Sequence, residues 1–216
     1  MKIGLLCEGE IDAALVPALV QRIARTEAGI RWPVRPDDVV ENLGIRKGGY
    51  GQVQKAVQKL CILLDEGHYA DYAFFLVVLD HNTRRTQTAI KKCIAARRSG
   101  NKFVIGIAIY EVEAWWLADR RNTLEWLGLA GAEHRGRYWD QDYCAEDDAD
   151  PKRTLDELTR LSPTLQSRYG DGNTQLAREF ADLWNSRAEL GQIRTQCPKG
   201  FHPFCRKATA ALKRHS

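Results

Sequence analysis

The run Tyr72-Ala73-Phe74-Phe75-Leu76-Val77-Val78-Leu79, followed at once by Asp80-His81-Asn82, decides how this chain is read. Its hydrophobicity is continuous rather than alternating. A strand apolar on both sides must be covered by helices on both sides, which is the condition of a parallel sheet. Two other runs share the form: Lys2 to Cys7 closes on Glu8, and Phe103 to Tyr110 closes on Glu111 and Glu113. Helical periodicities separate them. Ile11, Leu15, Leu19 and Ile23 follow Glu8-Gly9, with Glu10 and Asp12 in the first turn; Val53, Val57, Leu60, Cys61 and Leu64 lie between Gln52 and Glu66 and stop at Gly67; Ile90, Cys93 and Ile94 mark a crossover helix from Thr86 to Arg98. Val39 and Val40 predict one more short strand. The alternation predicts a doubly wound α/β core, mostly parallel and Rossmann-type, over residues 1–120. Beyond Asp119 no comparable strand run follows, and residues 121–216 are expected to form a helical carboxyl-terminal lobe. Asp150-Pro151 opens a helix carrying Leu155, Leu158 and Leu161, and Leu176, Phe180, Leu183 and Trp184 mark another.

Composition bounds the function classes. With 216 residues and 44% hydrophobic side chains the chain can bury a substantial core. Its longest apolar runs fall far short of the roughly 20 residues a spanning helix needs. The amino terminus meets Glu8 and Glu10 too soon for a secretory segment, so a cytoplasmic location with no membrane partner is expected. Six cysteines sit largely in apolar periodic segments, which reads as reduced thiols rather than a disulfide framework. The net charge of +4 says little about partners, but its distribution says more. Between His81 and Lys102 there is no acid, while Arg84, Arg85, Lys91, Lys92, Arg97, Arg98 and Lys102 are basic.

If the three apolar runs are neighbouring parallel strands, their carboxyl ends share one edge of the sheet, where open α/β folds place their ligands. Carboxylates gathered there repel one another unless a hard divalent cation neutralises them, and all-oxygen ligation suits Mg2+ or Mn2+. Glu8, Asp80 and Glu113 are the candidate catalytic and metal-ligating residues, with Asn82 an auxiliary oxygen ligand. Glu111 is either a more distant acceptor or the ligand in place of Glu113. Glu8 is either a ligand or a general acid or base, since carboxylates crowd one another's pKa upward. Each acid taken singly also suits a plain helix cap. Lys47, Arg84, Arg85, Lys91 and Lys92 are candidate phosphate contacts for a nucleic acid, the alternative being a solvated helix face and, at Lys47-Gly48-Gly49, an ordinary turn. Cys197, His202 and Cys205 lack the spacing of a structural zinc site. Trp115 and Trp116 are expected to anchor the helix after Glu113 against the second lobe.

The order of Glu8-Gly9, Asp80-His81-Asn82 and Glu111-Val112-Glu113 resembles the Toprim superfamily, in which a glutamate and a later DxD-type pair hold magnesium for phosphodiester chemistry. Asn82 replaces the second acid of that pair, which removes a negative charge while keeping an oxygen. The stretch Glu111-Val112-Glu113-Ala114-Trp115-Trp116-Leu117-Ala118-Asp119, with Pro151-Lys152 and with Cys197-Pro198 ahead of Phe201 and Phe204, is similar to a bacterial Toprim-like family labelled a domain of unknown function. That resemblance implies a Toprim-like core, a nuclease acting on DNA or RNA, and a separate AAA- or ABC-type ATPase partner in a defence or mobile-element system. The other function class is a degenerate Toprim-like module that binds an ATPase or nucleic acid without chemistry.

Overall fold

Alternate side chains of the central strand leave on opposite sides and enter different cores. The computed structural model describes residues 1–46, 48–80, 84–131, 137–170 and 172–216. Strands β1 (Lys2–Leu6), β2 (Arg35–Asp38), β3 (Phe74–Asp80) and β4 (Phe103–Ala108) form one sheet in the order β2-β1-β3-β4, with every pairing parallel. From β3, Phe74, Leu76 and Val78 join one apolar cluster while Phe75, Val77 and Leu79 join the other. The continuous hydrophobicity of this strand therefore reports burial on both faces, and the fold is a doubly wound α/β architecture with a helical carboxyl-terminal region.

Helix α1 (Glu10–Thr26) covers the first face through Leu15, Val16, Leu19 and Ile23. The opposite face is covered by α2 (Tyr50–Asp65), through Val53, Val57 and Leu60, and by α3 (Arg84–Ala95), through Ile90 and Ile94. After β4 come α4 (Glu113–Ala118), α5 (Arg120–Trp126), α6 (Pro151–Leu161), α7 (Thr174–Arg187), α8 (Leu190–Gln196) and α9 (Phe201–His215). The carboxyl-terminal helices join the α1 face: α7 lies along α1 and α9 along β4, and Phe180, Trp184, Phe204 and Leu212 share a cluster with Leu5 and Leu76. At one close approach only glycine fits, because a Cβ on Gly106 would stand 2.6 Å from the Phe204 ring of α9.

One strand differs from expectation. The short strand is Arg35-Pro36-Asp37-Asp38 and not Val39-Val40, which follow it as fully buried residues packed beneath α2. An edge strand needs no apolar run, since one flank lies outside the ladder and proline is tolerated there. Arg35 pairs with Lys2 and Asp38 with Leu5, and Val39 N–H still donates to the Leu5 carbonyl at 3.0 Å. Among the described residues, no helix is long and apolar enough to cross a membrane.

Candidate active site

Strand register brings the acids together. Leu6 pairs with Val77, so Glu8 follows β1 at the level where β3 is finishing. Asp80, the last residue of β3, pairs with Ala108, and Glu111 and Glu113 lie just past the end of β4. Tyr110, between β4 and Glu111, has φ of 61°, a left-handed conformation rare for a bulky side chain. Such backbone persists where surrounding structure enforces it, and here it turns the chain sharply between β4 and the two glutamates.

The side chains meet as the register requires. Glu8 Oε1 accepts the Asp80 backbone N–H at 3.0 Å, joining the ends of β1 and β3. Asp12 Oδ2 accepts from the backbone N–H groups of Glu8 and Gly9 at 3.1 and 3.0 Å. It thereby occupies the amino-terminal end of α1, where the helix dipole favours negative charge. Lys152, on α6, donates to Glu111 Oε1 at 2.7 Å and stands 3.9 Å from Glu113 Oε1. Tyr169 donates its hydroxyl to Glu113 Oε1 at 2.6 Å. Gln87, buried on α3, donates to the Asp80 carbonyl at 3.2 Å.

This is a desolvated cluster of like charges. Burial lifts the Asp80 carboxyl far above the usual carboxylate range, and Asp12, Glu8, Glu113 and Glu111 push it further. Asp12 and Glu8 are raised for the same first reason, burial, against their backbone hydrogen bonds. Burial takes Glu113 up to about 7 although Lys152 and Tyr169 both oppose it. Burial pulls the Lys152 ammonium down, but Glu113 and Glu111 outweigh it and hold the group above its ordinary value. Tyr169 is raised by burial and then by Glu113, so it stays a hydroxyl donor. Five carboxyls thus lie together near the Lys152 ammonium, an arrangement that favours protons retained on the buried acids.

Of the residues read from the sequence as a site, Glu8, Asp80, Glu111 and Glu113 come together. Asn82 and Lys47 lie outside the described residues, as does His81. Arg85, Lys91 and Lys92 are exposed on α3, and Lys91 lies close enough to Lys207 of α9 to depress its pKa, after burial. Three residues escaped the sequence reading: Asp12, taken only as a first-turn acid; Lys152, quoted only as part of a resemblance; and Tyr169. The Gly9-x-x-Asp12 spacing of a helix cap was the available signal for Asp12. Trp115 and Trp116 serve as expected, one stacked on Phe204 at 5.2 Å and the other on Phe180 at 4.6 Å.

A hard divalent cation suits the chemistry of this donor set, which is carboxylate oxygen only. Among the described residues, no group of three or more His, Cys, Asp or Glu is already arranged to hold a metal ion. Glu8, Glu111 and Glu113 each give one oxygen to an internal donor, which leaves the second oxygen of each carboxylate as a candidate ligand. Comparison with protein-family models, with the curated proteins and with the solved structures returned no match.

Proposed function

We propose that this protein is a Mg2+- or Mn2+-dependent phosphodiesterase acting on nucleic acid, of the Toprim-like kind, and that it works with a separate ATPase in a bacterial defence or mobile-element system. The observation that supports the chemistry is the convergence of Glu8, Asp80, Glu111 and Glu113 at the carboxyl edge of a parallel sheet, with Glu8 and Glu113 buried and the carboxyls of Asp80 and Glu113 raised by burial and by neighbouring acids. The ATPase and the biological setting rest on the sequence resemblance. Glu8, Asp80, Glu111 and Glu113 would hold the cation, which supplies charge neutralisation at phosphoryl oxygens and an activated water. Lys152, with 38% of its side chain exposed, sets a positive charge at the rim of the cluster where a phosphate oxygen can approach. Glu113, its Oε1 held by Tyr169 and its proton affinity raised by burial in the metal-free protein, would release its proton on taking up the cation.

The test combines binding and cleavage. Calorimetric titration with MgCl2 or MnCl2 should give saturable heat, and Glu8→Gln and Asp80→Asn should abolish metal-dependent cleavage of DNA or RNA without lowering the thermal midpoint. Wild-type cleavage rates in both variants would reject the site. One observation favours a second reading, a binding module without chemistry: Lys152 already places a cation against Glu111 and Glu113. That module would show no saturable heat with either metal.

A further inference from the structure

Trp32 lies at the amino-terminal edge of the sheet, across from the carboxylate cluster, and its ring is 49% exposed. The turn that carries it is fixed. Ile30 and Val34 on either side are buried to 2% and 6% exposure, Ile30 N–H donates to the Ala24 carbonyl at 2.9 Å, and Arg35 N–H donates to the Met1 carbonyl at 2.9 Å. Among the described residues, no other ring stacks on Trp32. A single exposed aromatic is unremarkable by itself. Here, however, the ring divides two clefts, one of about 410 Å³ and one of about 480 Å³.

The charge around those clefts is mostly positive, with Asp37 in the second as the acid that lines them. The first is lined by Gln21, Arg25, Arg31 and Arg35 with no acidic residue. Arg25 is engaged by the carbonyl and side-chain oxygens of Asn185. Among the described residues, Arg31 and Arg35 are both exposed and have no carboxylate partner. In the second cleft Lys2 is taken by Asp71 at 2.9 Å and stands 3.9 Å from Asp37, the Met1 ammonium donates to the Pro33 carbonyl, and Arg35 is the guanidinium that lines it. A flat, open indole face between two unpaired guanidinium groups matches a ligand that is both planar and anionic. An unstacked nucleotide strand offers both, whereas a duplex hides its base faces.

We propose that Trp32, Arg31 and Arg35 form a binding site for single-stranded nucleic acid, with one base stacked on the indole and the neighbouring phosphates on the two arginines. Glu8 lies six residues on from Lys2 along β1 and the chain that extends it, so the site lies about 20 Å from the carboxylates. It does not require that the cluster cut: a chain that binds without cleaving would carry it equally.

The experiment is fluorescence anisotropy of the full chain with a fluorescein-labelled oligothymidine of about 20 nucleotides, in EDTA, over a range of salt. Trp32→Ala should weaken binding about 5- to 150-fold, with Trp32→Phe recovering most of the loss. The pair Arg31→Ala and Arg35→Ala should lower the salt slope by about 1 to 2. A blunt duplex should compete poorly. The proposal is overturned if the wild type does not bind the strand, if Trp32→Ala binds it as the wild type does, or if polyglutamate competes as well as the oligonucleotide, which would assign the patch to an acidic protein. The assay in EDTA reads binding alone and so separates the two readings: the wild type should bind the strand, and Trp32→Ala should weaken it, whether or not the wild type proves to cleave when metal is supplied.

Discussion

Replacing Glu113 by glutamine should make the protein more stable at alkaline pH and leave it unchanged in mild acid. The Glu113 carboxyl is 2% exposed, and burial lifts its pKa from 4.5 to about 7. The folded state thus holds this proton more tightly than the unfolded chain does. Below about pH 4.5 both states are protonated and nothing is lost; stability falls as pH rises toward about 7; above that the full difference has been given up. At about 1.4 kcal/mol per pKa unit the shift amounts to about 3 kcal/mol. Glutamine mimics the protonated carboxyl: its oxygen still accepts from Tyr169, and Lys152 keeps Glu111 at 2.7 Å. Glu113→Gln should therefore match the wild type near pH 4.5 and exceed it by up to about 3 kcal/mol at pH 8, or roughly 6–12 °C in midpoint for a chain of this size. Urea and thermal unfolding in EDTA, followed by tryptophan fluorescence at both pH values, measures this directly. A variant that is less stable at pH 8, or that differs equally at both pH values, would refute the account of Glu113 as an under-neutralised buried acid.

Two further substitutions probe the frame around the site. Asp119 is fully buried and accepts from Asn122 at 3.0 and 2.9 Å and from the Trp184 indole at 2.8 Å, tying α5 to α7. Asp119→Ala would strand these donors and should cost about 3 kcal/mol in urea unfolding, with the far-ultraviolet spectrum of the folded state unchanged. Gly4 in β1 lies under the Phe75 ring, where an added Cβ would fall 2.1 Å from Cδ1. Gly4→Ala should lower stability by about 1–3 kcal/mol at every pH, in contrast to the pH-dependent effect at Glu113.

The parts of the fold visible in the sequence are those governed by burial pattern. β1 and β3 announce themselves because both faces are covered, β4 because one face is buried and the other half-buried, and α1 and α2 because only one face is covered. β2 escapes because an edge strand of Arg-Pro-Asp-Asp is held by backbone pairing and carries no apolar signature. The acids after the three strands could be gathered on paper since parallel register places their ends side by side. Lys152 and Tyr169 could not, because they reach the cluster from residues far along the chain through packing of the carboxyl-terminal helices. Nothing local marks Tyr169, whose backbone N–H is held by Thr159 at 2.9 Å and whose ring meets Trp116 edge-on at 5.7 Å.

The energetics of the cluster argue against a purely structural role. A buried acid that holds a fold stands alone among donors of its own, as Asp119 does with Asn122, Trp184 and the Glu189 N–H, although burial still raises it to about 6. At the sheet edge the difference is crowding: Asp12, Glu8, Asp80, Glu111 and Glu113 lie together, and their like charges add to what burial does to Asp12, Asp80 and Glu113. Apolar residues of similar volume would be no worse for stability and often better. Chains tolerate such local conflicts where function requires them. The counter-charge supplied by α6 reaches one side of the cluster: Lys152 meets Glu111 at 2.7 Å and Glu113 at 3.9 Å, while burial and then Asp12, Glu8, Glu113 and Glu111 raise the Asp80 carboxyl. A divalent cation bound among these carboxylates would be held by the folded state and not by the unfolded chain, so its binding should raise the stability of the fold in proportion to its affinity.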